Sequence, residues 1–398
     1  PPYPVQAQAC AGCGGAEGAR GESFPSDRSP EGGSALDAGG ILPQGQSMFG
    51  HIYEGRRVFV TGHTGFKGSW LTAWLLQMGA EVAGFSDVVP TSPSHFDVIG
   101  LGGRIRDYRG DVRDRKALVE AMREFKPEIV FHLAAQALVR ASYDNPADTI
   151  EVNAMGTLNV LEAVRVTPSV EAVVSITSDK AYRNDEWVWG YRETDHLGGY
   201  DPYSASKGCA EIIAHSYFKS FFGDPVNAPY CATTRAGNVI GGGDFANDRI
   251  IPDCVRAAEK GENIVVRNPH STRPYQHVLD PLFPYLTVAM AQYEDPSFAG
   301  YYNVGPDDAD CLTTGELVDL FCSLWGENLR WMNRSDGGPH EANFLKLDCS
   351  RVKKTFGWKP GMHVEEAVKK TVEWSKLWLS GGDVRAVTDR QIEEFSET

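Results

Sequence analysis

The chain has 398 residues, 42% of them apolar, which is enough for one large domain or two closely joined domains with a sizeable core. Its formal net charge of −15 argues against nucleic acid or an anionic membrane surface as a partner, because both would repel it. The eight cysteines are scattered apart from Cys10 and Cys13, which argues against a disulfide-stapled secreted domain and predicts a cytoplasmic location.

The first 47 residues differ in composition from the rest of the chain. Residues 1–47 are rich in Gly, Ala, Ser and Pro and poor in large apolar side chains, so we expect a disordered tail. Cys10 and Cys13 have the spacing of a zinc knuckle but lack a second pair of ligands nearby, and the ten histidines form no cluster. We therefore predict no metal site. No stretch approaches the about 18 consecutive apolar residues that span a membrane, so no membrane partner is expected.

After the tail, short apolar runs rich in β-forming residues alternate with amphipathic helical stretches. The first four runs cover 57–61, 81–85, 128–133 and 172–178. Strands that alternate with helices predict parallel crossover connections. The expected fold class is therefore α/β, with a doubly wound Rossmann-type parallel sheet.

The pattern loosens from about Gly237, where Pro and Gly become frequent and helices are predicted near 316–325 and 364–377. This change predicts a second, smaller unit. We expect a nucleotide-binding Rossmann domain over 48–236, which later segments rejoin, and a smaller α+β substrate-binding lobe that takes up most of 237–398.

A glycine-rich turn follows the first predicted strand. Gly62, Gly65 and Gly68 have GxxGxxG spacing, and apolar residues at helical spacing begin just after them. Glycines let the backbone approach a pyrophosphate, while the helix N-terminus supplies amides and the positive end of a dipole. The loop, including Phe66, predicts dinucleotide binding; a purely structural turn is the alternative.

Asp87 follows the second strand, about 20 residues past the loop, where an acidic side chain commonly binds the ribose hydroxyls of the dinucleotide. No Lys or Arg occurs between positions 83 and 103, so NAD is favoured over NADP. Two alternatives stay open: Lys67 could serve as a cation for a ribose phosphate, and Ser86 could occupy the strand-end position.

Tyr203 and Lys207 form a YxxxK motif in a predicted helix, where they share one face one turn apart. A phenol with a pKa of about 10 is a poor base at neutral pH, and we expect a neighbouring ammonium and an oxidised nicotinamide to lower that pKa. Tyr203 could then accept the proton of a sugar hydroxyl as hydride leaves the carbon. An ordinary surface helix turn is the alternative.

The glycine loop and YxxxK together resemble the extended short-chain dehydrogenases/reductases, and further segments follow in that family's order. The resemblance implies that Asp111 and Val112 contact the adenine and that Ala134, Ala135 and Gln136 line the dinucleotide. It also implies a structural role beside the cofactor for Asn153. Residues 235–239, which include Asn238, resemble the segment that leads into the substrate lobe.

Four segments are similar, more narrowly, to the CDP-glucose 4,6-dehydratases: the loop 62–70, the triplet 178–180, the run 186–193 and residues 339–342. The resemblance covers the chain from Glu54 to its end. It implies NAD as cofactor, CDP-glucose as substrate and a homodimer or homotetramer.

The resemblance implies a reaction in three parts. Tyr203, helped by Lys207 and Ser178, takes the C4 hydroxyl proton as hydride passes to NAD. Asp179 then acts as the acid for the departing C6 hydroxyl and Lys180 as the base at C5. Finally, hydride returns to C6, which regenerates NAD. A lysine base must be neutral, which requires burial or a nearby positive charge. An acidic Asp179 likewise requires a raised pKa, and an exposed charged loop is the alternative for both residues.

A sugar nucleotide carries a diphosphate, which an acidic protein must bind with local cations. Arg249, Arg267 and Arg273 are the expected ligands, because a planar guanidinium pairs with phosphate oxygens. Solvated salt bridges are the alternative for each. By resemblance, the remaining expected substrate contacts are Gln136, Asn238 and His340.

Two rival functions share these motifs. A 4-epimerase or reductase could use the same loop and YxxxK, but Asp179 and Lys180 argue against it because an epimerase expels no C6 hydroxyl. A non-catalytic NAD-binding protein is the second rival, although a pure binder has no need of Tyr203 and Lys207.

Overall fold

The computed structural model describes residues 49–222, 229–326, 328–334 and 344–397, all of which belong to one compact unit. The predicted tail at 1–47 and the predicted substrate contact His340 lie outside the described residues. The predicted domain boundary at 236/237 stays a prediction. Within the described residues, no helix has both the length and the apolarity needed to cross a membrane.

The strands of the described residues are, in chain order, β1 (Arg57–Thr61), β2 (Glu81–Ser86), β3 (Arg106–Arg109), β4 (Ile129–His132), β5 (Ala172–Ile176), β6 (Tyr230–Ala236), β7 (Val239–Ile240), β8 (Ile264–Val266), β9 (Thr272–Pro274), β10 (Gln276–His277), β11 (Tyr301–Val304), β12 (Cys311–Thr313) and β13 (Trp331–Asn333). The helices are α1 (Phe66–Gln77), α2 (His95–Val98), α3 (Arg115–Phe125), α4 (Val139–Asp144), α5 (Pro146–Ile150), α6 (Gly156–Arg165), α7 (Pro202–Ser220), α8 (Ile250–Lys260), α9 (Leu279–Glu294), α10 (Thr314–Trp325), α11 (Ser350–Phe356), α12 (Val364–Leu379) and α13 (Val384–Ser396).

The central sheet has seven parallel strands in the order β11-β6-β5-β4-β1-β2-β3. The order reverses between β1 and β4, which is the doubly wound arrangement expected from the sequence. The fold class is therefore confirmed. The fourth predicted run was drawn too long, because β5 ends at Ile176 and Ser178 lies in the loop beyond it. A late segment, β11, rejoins the sheet beside β6.

Alternating side chains place a hydrophobic core on each face of the sheet. In β1, Val58 and Val60 join the core that contains Trp70 of α1, whereas Phe59 joins the core that contains Leu118 of α3. This is the period of two expected of a strand buried on both faces. The resulting rigid sheet holds the C-terminal ends of its strands in one fixed row.

A third core lies in the later part of the chain, where α8, α10 and α12 pack around β8. The predicted helices near 316–325 and 364–377 correspond to α10 and α12. A capping box between Thr313 and Glu316 satisfies the first amides of α10 and fixes where it begins.

Candidate active site

A cavity of about 1050 Å³ opens at the C-terminal ends of the central strands. Most of the predicted site residues line it, from both the Rossmann part and the later part of the chain. They are Gly62, Gly65, Phe66, Gly68, Asp87, Asp111, Val112, Ala134, Ala135, Gln136, Ser178, Asp179, Lys180, Tyr203, Lys207, Asn238, Arg249, Arg267 and Arg273. Asn153 is not among the lining residues.

The glycine loop fits a ligand that needs close approach to the backbone. Gly62 has φ of +75°, and a Cβ there would lie 2.6 Å from the amide nitrogen of Ala134. A Cβ on Gly68 would lie 2.1 Å from the carbonyl oxygen of Gly62. Gly65 begins α1 without a side-chain cap, so the helix N-terminus faces the cavity with its amides available. The loop therefore has the shape and polarity that a pyrophosphate requires.

The two residues at the end of β2 both line the cavity but make different contacts. Ser86 is buried, and its hydroxyl lies 3.1 Å from Nδ1 of His63. Asp87 lies on the cavity wall, and its carboxylate accepts only the local amide of Val88 in a contact of 2.8 Å. Arg109, which pairs with Ser86 across the sheet, forms an ion pair of 2.6 Å with Asp107 and does not line the cavity. Asp87 and Ser86 therefore both stay candidates for the strand-end position.

The predicted adenine-contacting residues are held by a residue that the sequence interpretation missed. Arg113 also lines the cavity and donates to the Asp111 carboxylate at 2.6 Å. Hydrogen bonding by Arg113 lowers the pKa of Asp111. The carbonyl of Val112 accepts a hydrogen bond of 3.1 Å from the side chain of Asn159. Hydrogen bonds within the protein therefore hold Asp111 and Val112 in place at this corner of the cavity.

Asn153 lies one layer behind the cavity wall and is 2% exposed. Its side-chain oxygen accepts from the Gln136 amide at 2.9 Å, and its nitrogen donates to Ser206 at 2.8 Å. The Gln136 side chain is itself engaged, donating to the carbonyl of Leu138 at 3.0 Å. Asn153 thus ties the loop after β4 to α7, the helix that carries Tyr203.

Tyr203 and Lys207 both lie on α7, as the sequence predicts, with Lys207 Nζ 6.0 Å from the centroid of the Tyr203 ring. Asp201 begins the helix by accepting from the amide of Ser204 at 2.9 Å. Burial lowers the pKa of Lys207 to about 8, against the opposing charge of Glu211. Both functional side chains are thus enclosed at the start of one helix.

In the protein without cofactor, the largest effect on the pKa of Tyr203 is burial. Burial raises it to about 12, which outweighs the lowering by a hydrogen bond from Ser178 and by the charge of Arg249. In the protein alone, Tyr203 is therefore a protonated phenol at neutral pH. A neighbouring lysine is not enough to offset desolvation of a phenolate.

The triplet 178–180 forms a short turn directly after β5. The Ser178 hydroxyl accepts from the Lys180 amide at 3.3 Å and donates to Asp179 Oδ1 at 2.9 Å. Asp179 is 2% exposed, and its Oδ2 is buried without a hydrogen-bond partner. Lys180 is half-buried on the cavity wall. An unpartnered buried carboxylate oxygen is costly, which is typical of a group kept for a ligand or a proton.

Lys67 is a second residue that the sequence interpretation did not assign to the chemistry. It lines the cavity, and its Nζ lies 3.4 Å from the hydroxyl of Tyr285. Burial lowers its pKa to about 7, assisted by the charges of Lys207 and Arg249 and opposed by Asp179. The structure therefore adds a lysine with a strongly lowered pKa to the expected set.

The three predicted phosphate ligands all reach the cavity. Arg249 forms an ion pair of 3.1 Å with Asp244, and Arg267 contacts Asp253 at 3.7 Å. Arg273, on β9, is 4% exposed. The structure thus brings these arginines together on the side of the cavity formed by the later part of the chain.

Glu211 and Arg235 form a buried ion pair close to Lys207. We call this pair, together with its hydrogen-bond partners Tyr182, Thr177 and Thr233, the paired cluster. Glu211 Oε2 accepts from Arg235 Nη2 at 2.8 Å and from the Thr233 hydroxyl at 2.9 Å, and its other oxygen accepts from Thr177. Arg235 also donates to Tyr182 at 2.7 Å. The i,i+4 spacing of Lys207 and Glu211 is the sequence signal that could have identified Glu211 as a neighbour of the site.

The residues that the structure describes contain no group of three His, Cys, Asp or Glu side chains arranged to hold a metal ion. The ionisable side chains of the cavity are instead carboxylates and cations from separate elements.

Comparisons with known proteins agree with this geometry. The family model described as GDP-mannose 4,6 dehydratase matches residues 59–371. CDP-glucose 4,6-dehydratase of Salmonella typhimurium is 48% identical over 350 residues, which cover 87% of this chain and 97% of that protein. This confirms the predicted resemblance.

Two solved structures share the fold. UDP-glucose 4-epimerase of Thermus thermophilus, in complex with NAD, superposes with a TM-score of 0.69 at 26% identity, covering 80% of this chain and 99% of that one. dTDP-glucose 4,6-dehydratase of Bacillus anthracis, in complex with NAD, gives a TM-score of 0.67 at 22% identity, covering 81% and 96%. The chain therefore belongs to the GDP-mannose 4,6-dehydratase family and is a homologue of CDP-glucose 4,6-dehydratase.

Proposed function

We propose that this chain is an NAD-dependent CDP-glucose 4,6-dehydratase, a lyase that converts CDP-glucose to CDP-4-keto-6-deoxyglucose and water. The observation that carries the proposal is the meeting of Tyr203 and Lys207 with Ser178 and Asp179 around one cavity, in a chain 48% identical to an enzyme of that name. Oxidation at C4 requires a base for the hydroxyl proton, and elimination requires an acid for the C6 hydroxyl. This cavity contains a candidate for each.

The cavity fits NAD at several points. The loop of Gly62, Gly65, Phe66 and Gly68 would hold the pyrophosphate, because it lines the cavity and leads directly into the N-terminus of α1, which has no side-chain cap. Asp87 would bind the adenosine ribose. Asp111 and Val112 would contact the adenine; Ala134, Ala135 and Gln136 would form the wall, with Asn153 behind it. When bound, NAD supplies a reversible hydride acceptor.

Oxidation at C4 requires a base for the hydroxyl proton. Tyr203 would accept it, and Lys207 would stabilise the phenolate from the next turn of α7. Ser178 supports the same state, because its hydrogen bond lowers the pKa of Tyr203. The resulting 4-ketone makes the C5 hydrogen acidic.

Elimination requires an acid at C6 and a base at C5. Asp179, confined beside the cavity with one carboxylate oxygen unpartnered, would protonate the departing C6 hydroxyl. Lys180, on the same turn, would take the C5 proton as water leaves and return it to C5 when C6 takes back the hydride that left C4, so no net reduction of NAD remains. In an epimerase these two groups would have no leaving group to act on.

The diphosphate of the substrate would bind Arg249, Arg267 and Arg273, with Asn238 and Gln136 near the sugar and His340 as a further contact. Arg249 already pairs with Asp244, so the phosphate would have to compete with that carboxylate. We also propose 48–236 as the mainly NAD-binding part and 237–398 as the mainly substrate-binding part. A cytoplasmic homodimer or homotetramer completes the proposal.

The test is incubation of the purified protein with NAD and, separately, CDP-glucose, dTDP-glucose, UDP-glucose and GDP-mannose, followed by mass spectrometry. We expect CDP-glucose alone to lose the mass of one water, without net reduction of NAD. Unchanged mass in every reaction, with an inverted C4 by NMR, would replace the proposal with a 4-epimerase. Unchanged sugars throughout would leave a binding protein.

A further inference from the structure

The end of β2 is where the proposed NAD site holds the adenosine ribose, and this inference rests on that proposed function. Two polar side chains there, Ser86 and Asp87, line the cavity. A carboxylate such as that of Asp87 can only accept hydrogen bonds, whereas a serine hydroxyl can donate or accept. The ligand that fits this end of the strand therefore depends on where the Ser86 hydroxyl directs its proton.

Ser86 is the first member of a buried chain of hydrogen bonds. Its hydroxyl oxygen lies 3.1 Å from Nδ1 of His63, and Nε2 of His63 lies 2.9 Å from Oδ1 of Asp107. The other oxygen of Asp107 accepts from Nη2 of Arg109 at 2.6 Å. The chain thus runs from the cavity wall, through an imidazole, to a carboxylate that is paired with a guanidinium.

The ring of His63 is held in one orientation by its surroundings. His63 is 0% exposed and packs edge-on against Phe96, with ring centroids 5.3 Å apart. A Cβ on Gly84 would lie 2.2 Å from Cγ of the ring, so glycine at that position of β2 leaves the space that the imidazole fills. Burial also lowers the pKa of His63, so the ring is neutral at neutral pH and carries a single N–H.

The hydrogen-bond partners decide which nitrogen carries that proton. Asp107 can only accept, so Nε2 of His63 must be the donor in their contact. Nδ1 is then a bare acceptor, and the Ser86 hydroxyl must donate to it. The Ser86 oxygen therefore presents only lone pairs to the cavity. Together with Asp87, the end of β2 offers hydrogen-bond acceptors alone.

A neighbouring cation is held out of the cavity by the same carboxylate. Arg109 lies opposite Ser86 in the pairing of β2 with β3. In Rossmann-type sites that bind NADP, an arginine near this position accommodates the 2′-phosphate. Here Arg109 pairs with Asp107, its guanidinium lies 5.3 Å from the ring centroid of Phe96, and it does not line the cavity. Asp107 thus acts on both groups that could receive a phosphate.

We propose that Asp107, acting through His63 and Arg109, makes the end of β2 selective for the unphosphorylated ribose of NAD. A ribose hydroxyl can donate to the lone pairs of Ser86 and Asp87. The 2′-phosphate of NADP is an anion that mainly accepts, so it finds no donor there and is repelled by the carboxylate. Asp107 and His63 do not line the cavity and are positioning residues.

Asp107→Asn should reverse the tautomer with little change in shape. Arg109 can only donate, so it keeps the amide oxygen on its side, and the amide NH2 faces Nε2 of His63. Nδ1 then carries the proton, and Ser86 turns its own proton toward the cavity. We expect the affinity for NADP to rise by about ten-fold, as for one hydrogen bond to a charged group. The affinity for NAD should change by less than about three-fold, because a ribose hydroxyl can both donate and accept.

Two measurements test this prediction. Isothermal titration calorimetry of the purified protein, freed of bound nucleotide, gives the affinities for NAD and NADP. Long-range proton–nitrogen correlation NMR of histidine-labelled protein reports the tautomer of His63, whose signals are assigned with His63→Phe. The gain in NADP affinity should be lost in Asp107→Asn combined with Ser86→Ala, because the hydroxyl that carries it is gone.

Asp97→Asn is the matched control for the loss of a charge. Asp97 is an exposed residue of α2 whose carboxylate accepts from the Ser94 hydroxyl at 2.7 Å rather than from His63. Its substitution should leave the NADP affinity within about two-fold of the wild-type value, because solvent and salt screen an exposed charge. Urea unfolding of every variant identifies a folding defect. Ser86→Ala alone is the second variant: it removes an acceptor for the ribose, so it should weaken NAD binding by about five-fold and narrow the preference over NADP.

Three results would overturn the inference. The first is a wild-type His63 with its proton on Nδ1, and the second is an NADP affinity that Asp107→Asn leaves unchanged. The third is a gain that persists without the Ser86 hydroxyl, since charge alone would then explain it. An unchanged cofactor preference in Ser86→Ala would have the same consequence. Failure of the proposed function is seen separately, as wild-type protein that prefers NAD to NADP yet removes no water from CDP-glucose.

Discussion

Two groups of charged side chains meet at α7, one around Glu211 and the other around Lys207 one turn earlier, and they differ in how completely their polar atoms are paired. In the paired cluster, Glu211 has both carboxylate oxygens occupied, by Arg235, Thr233 and Thr177. In what we call the open cluster, Lys67, Asp179, Lys207 and Arg249 face the cavity, and Asp179 Oδ2 has no hydrogen-bond partner. Among the described residues, the carboxylate of Glu211 is therefore paired at both oxygens, although Arg235 Nε is buried without a partner, whereas the carboxylate of Asp179 is paired at one oxygen only.

The difference follows from what each group contributes. A buried ion pair must satisfy its polar atoms internally, since no ligand ever reaches it. The open cluster is paired only in part, for example at Arg249 with Asp244, and a ligand in the cavity would add further partners. Burial there lowers the pKa of Lys67 and raises that of the neighbouring Tyr203. Substitutions in the paired cluster should therefore cost stability, whereas those in the open cluster should cost activity.

The largest expected effect belongs to Tyr203→Phe. Removing the hydroxyl takes away the group proposed to accept the C4 proton, so we expect kcat/KM for CDP-glucose to fall by about 10³-fold, or about 4 kcal/mol. The ring remains, so the free energy of unfolding and NAD binding should change little. Turnover at the wild-type rate would remove Tyr203 from the base role and weaken the distinction between the two clusters.

The next largest effect is expected in the paired cluster, for Glu211→Gln. This substitution leaves the buried guanidinium of Arg235, 3% exposed, without its counter-charge, so the free energy of unfolding should fall by about 3 kcal/mol. Urea denaturation measures it. Glu120→Gln is the matched control, because Glu120 pairs with Lys116 at 3.8 Å on the open surface and should cost less than about 0.5 kcal/mol. Equal losses at the two sites would contradict the assignment of stability to burial.

The sheet and the main site could be predicted from the sequence because the patterns that indicate them are local. The apolar strand runs, the glycine loop and the spacing of Tyr203 and Lys207 all lie within short windows, and the family resemblance confirmed by the comparisons supplied their order. The position of Lys67 against Tyr285 joins residues 218 apart in the chain, so no window contains it. The burial that raises the pKa of Tyr203 in the protein without cofactor could not be seen from the sequence for a related reason, since burial depends on the whole fold.

Lys180→Ala tests the edge of the open cluster, where Lys180 is half-buried beside Asp179. If Lys180 is the C5 base, exchange of the C5 hydrogen with solvent deuterium should slow by about 100-fold, while C4 oxidation changes much less. NMR of the recovered sugar nucleotide and the absorbance of reduced nicotinamide report the two steps separately. Unchanged exchange would remove Lys180 from the base role and leave Lys67 and Lys207 as the cavity lysines whose pKa burial lowers.

The smallest expected effect is a change in the free energy of unfolding caused by Lys67→Met, and its direction depends on pH in a defined way. Folding lowers the pKa of Lys67 from its ordinary value of 10.5 to about 7, so between these values the unfolded chain binds a proton that the folded protein does not. The free energy of unfolding of the wild-type protein therefore rises with pH between about 7 and 10.5 because of Lys67. The cost of burying the amine is greatest at and below neutral pH. Methionine keeps the apolar stem without the charge, so we expect it to stabilise the protein at neutral pH by roughly 1–2 kcal/mol, after allowing for solvent in the cavity. The gain should vanish near pH 10.5, as urea unfolding at several pH values would show. A loss of stability at neutral pH would mean that Lys67 is already paired in the folded protein, and the open cluster would then resemble the paired one.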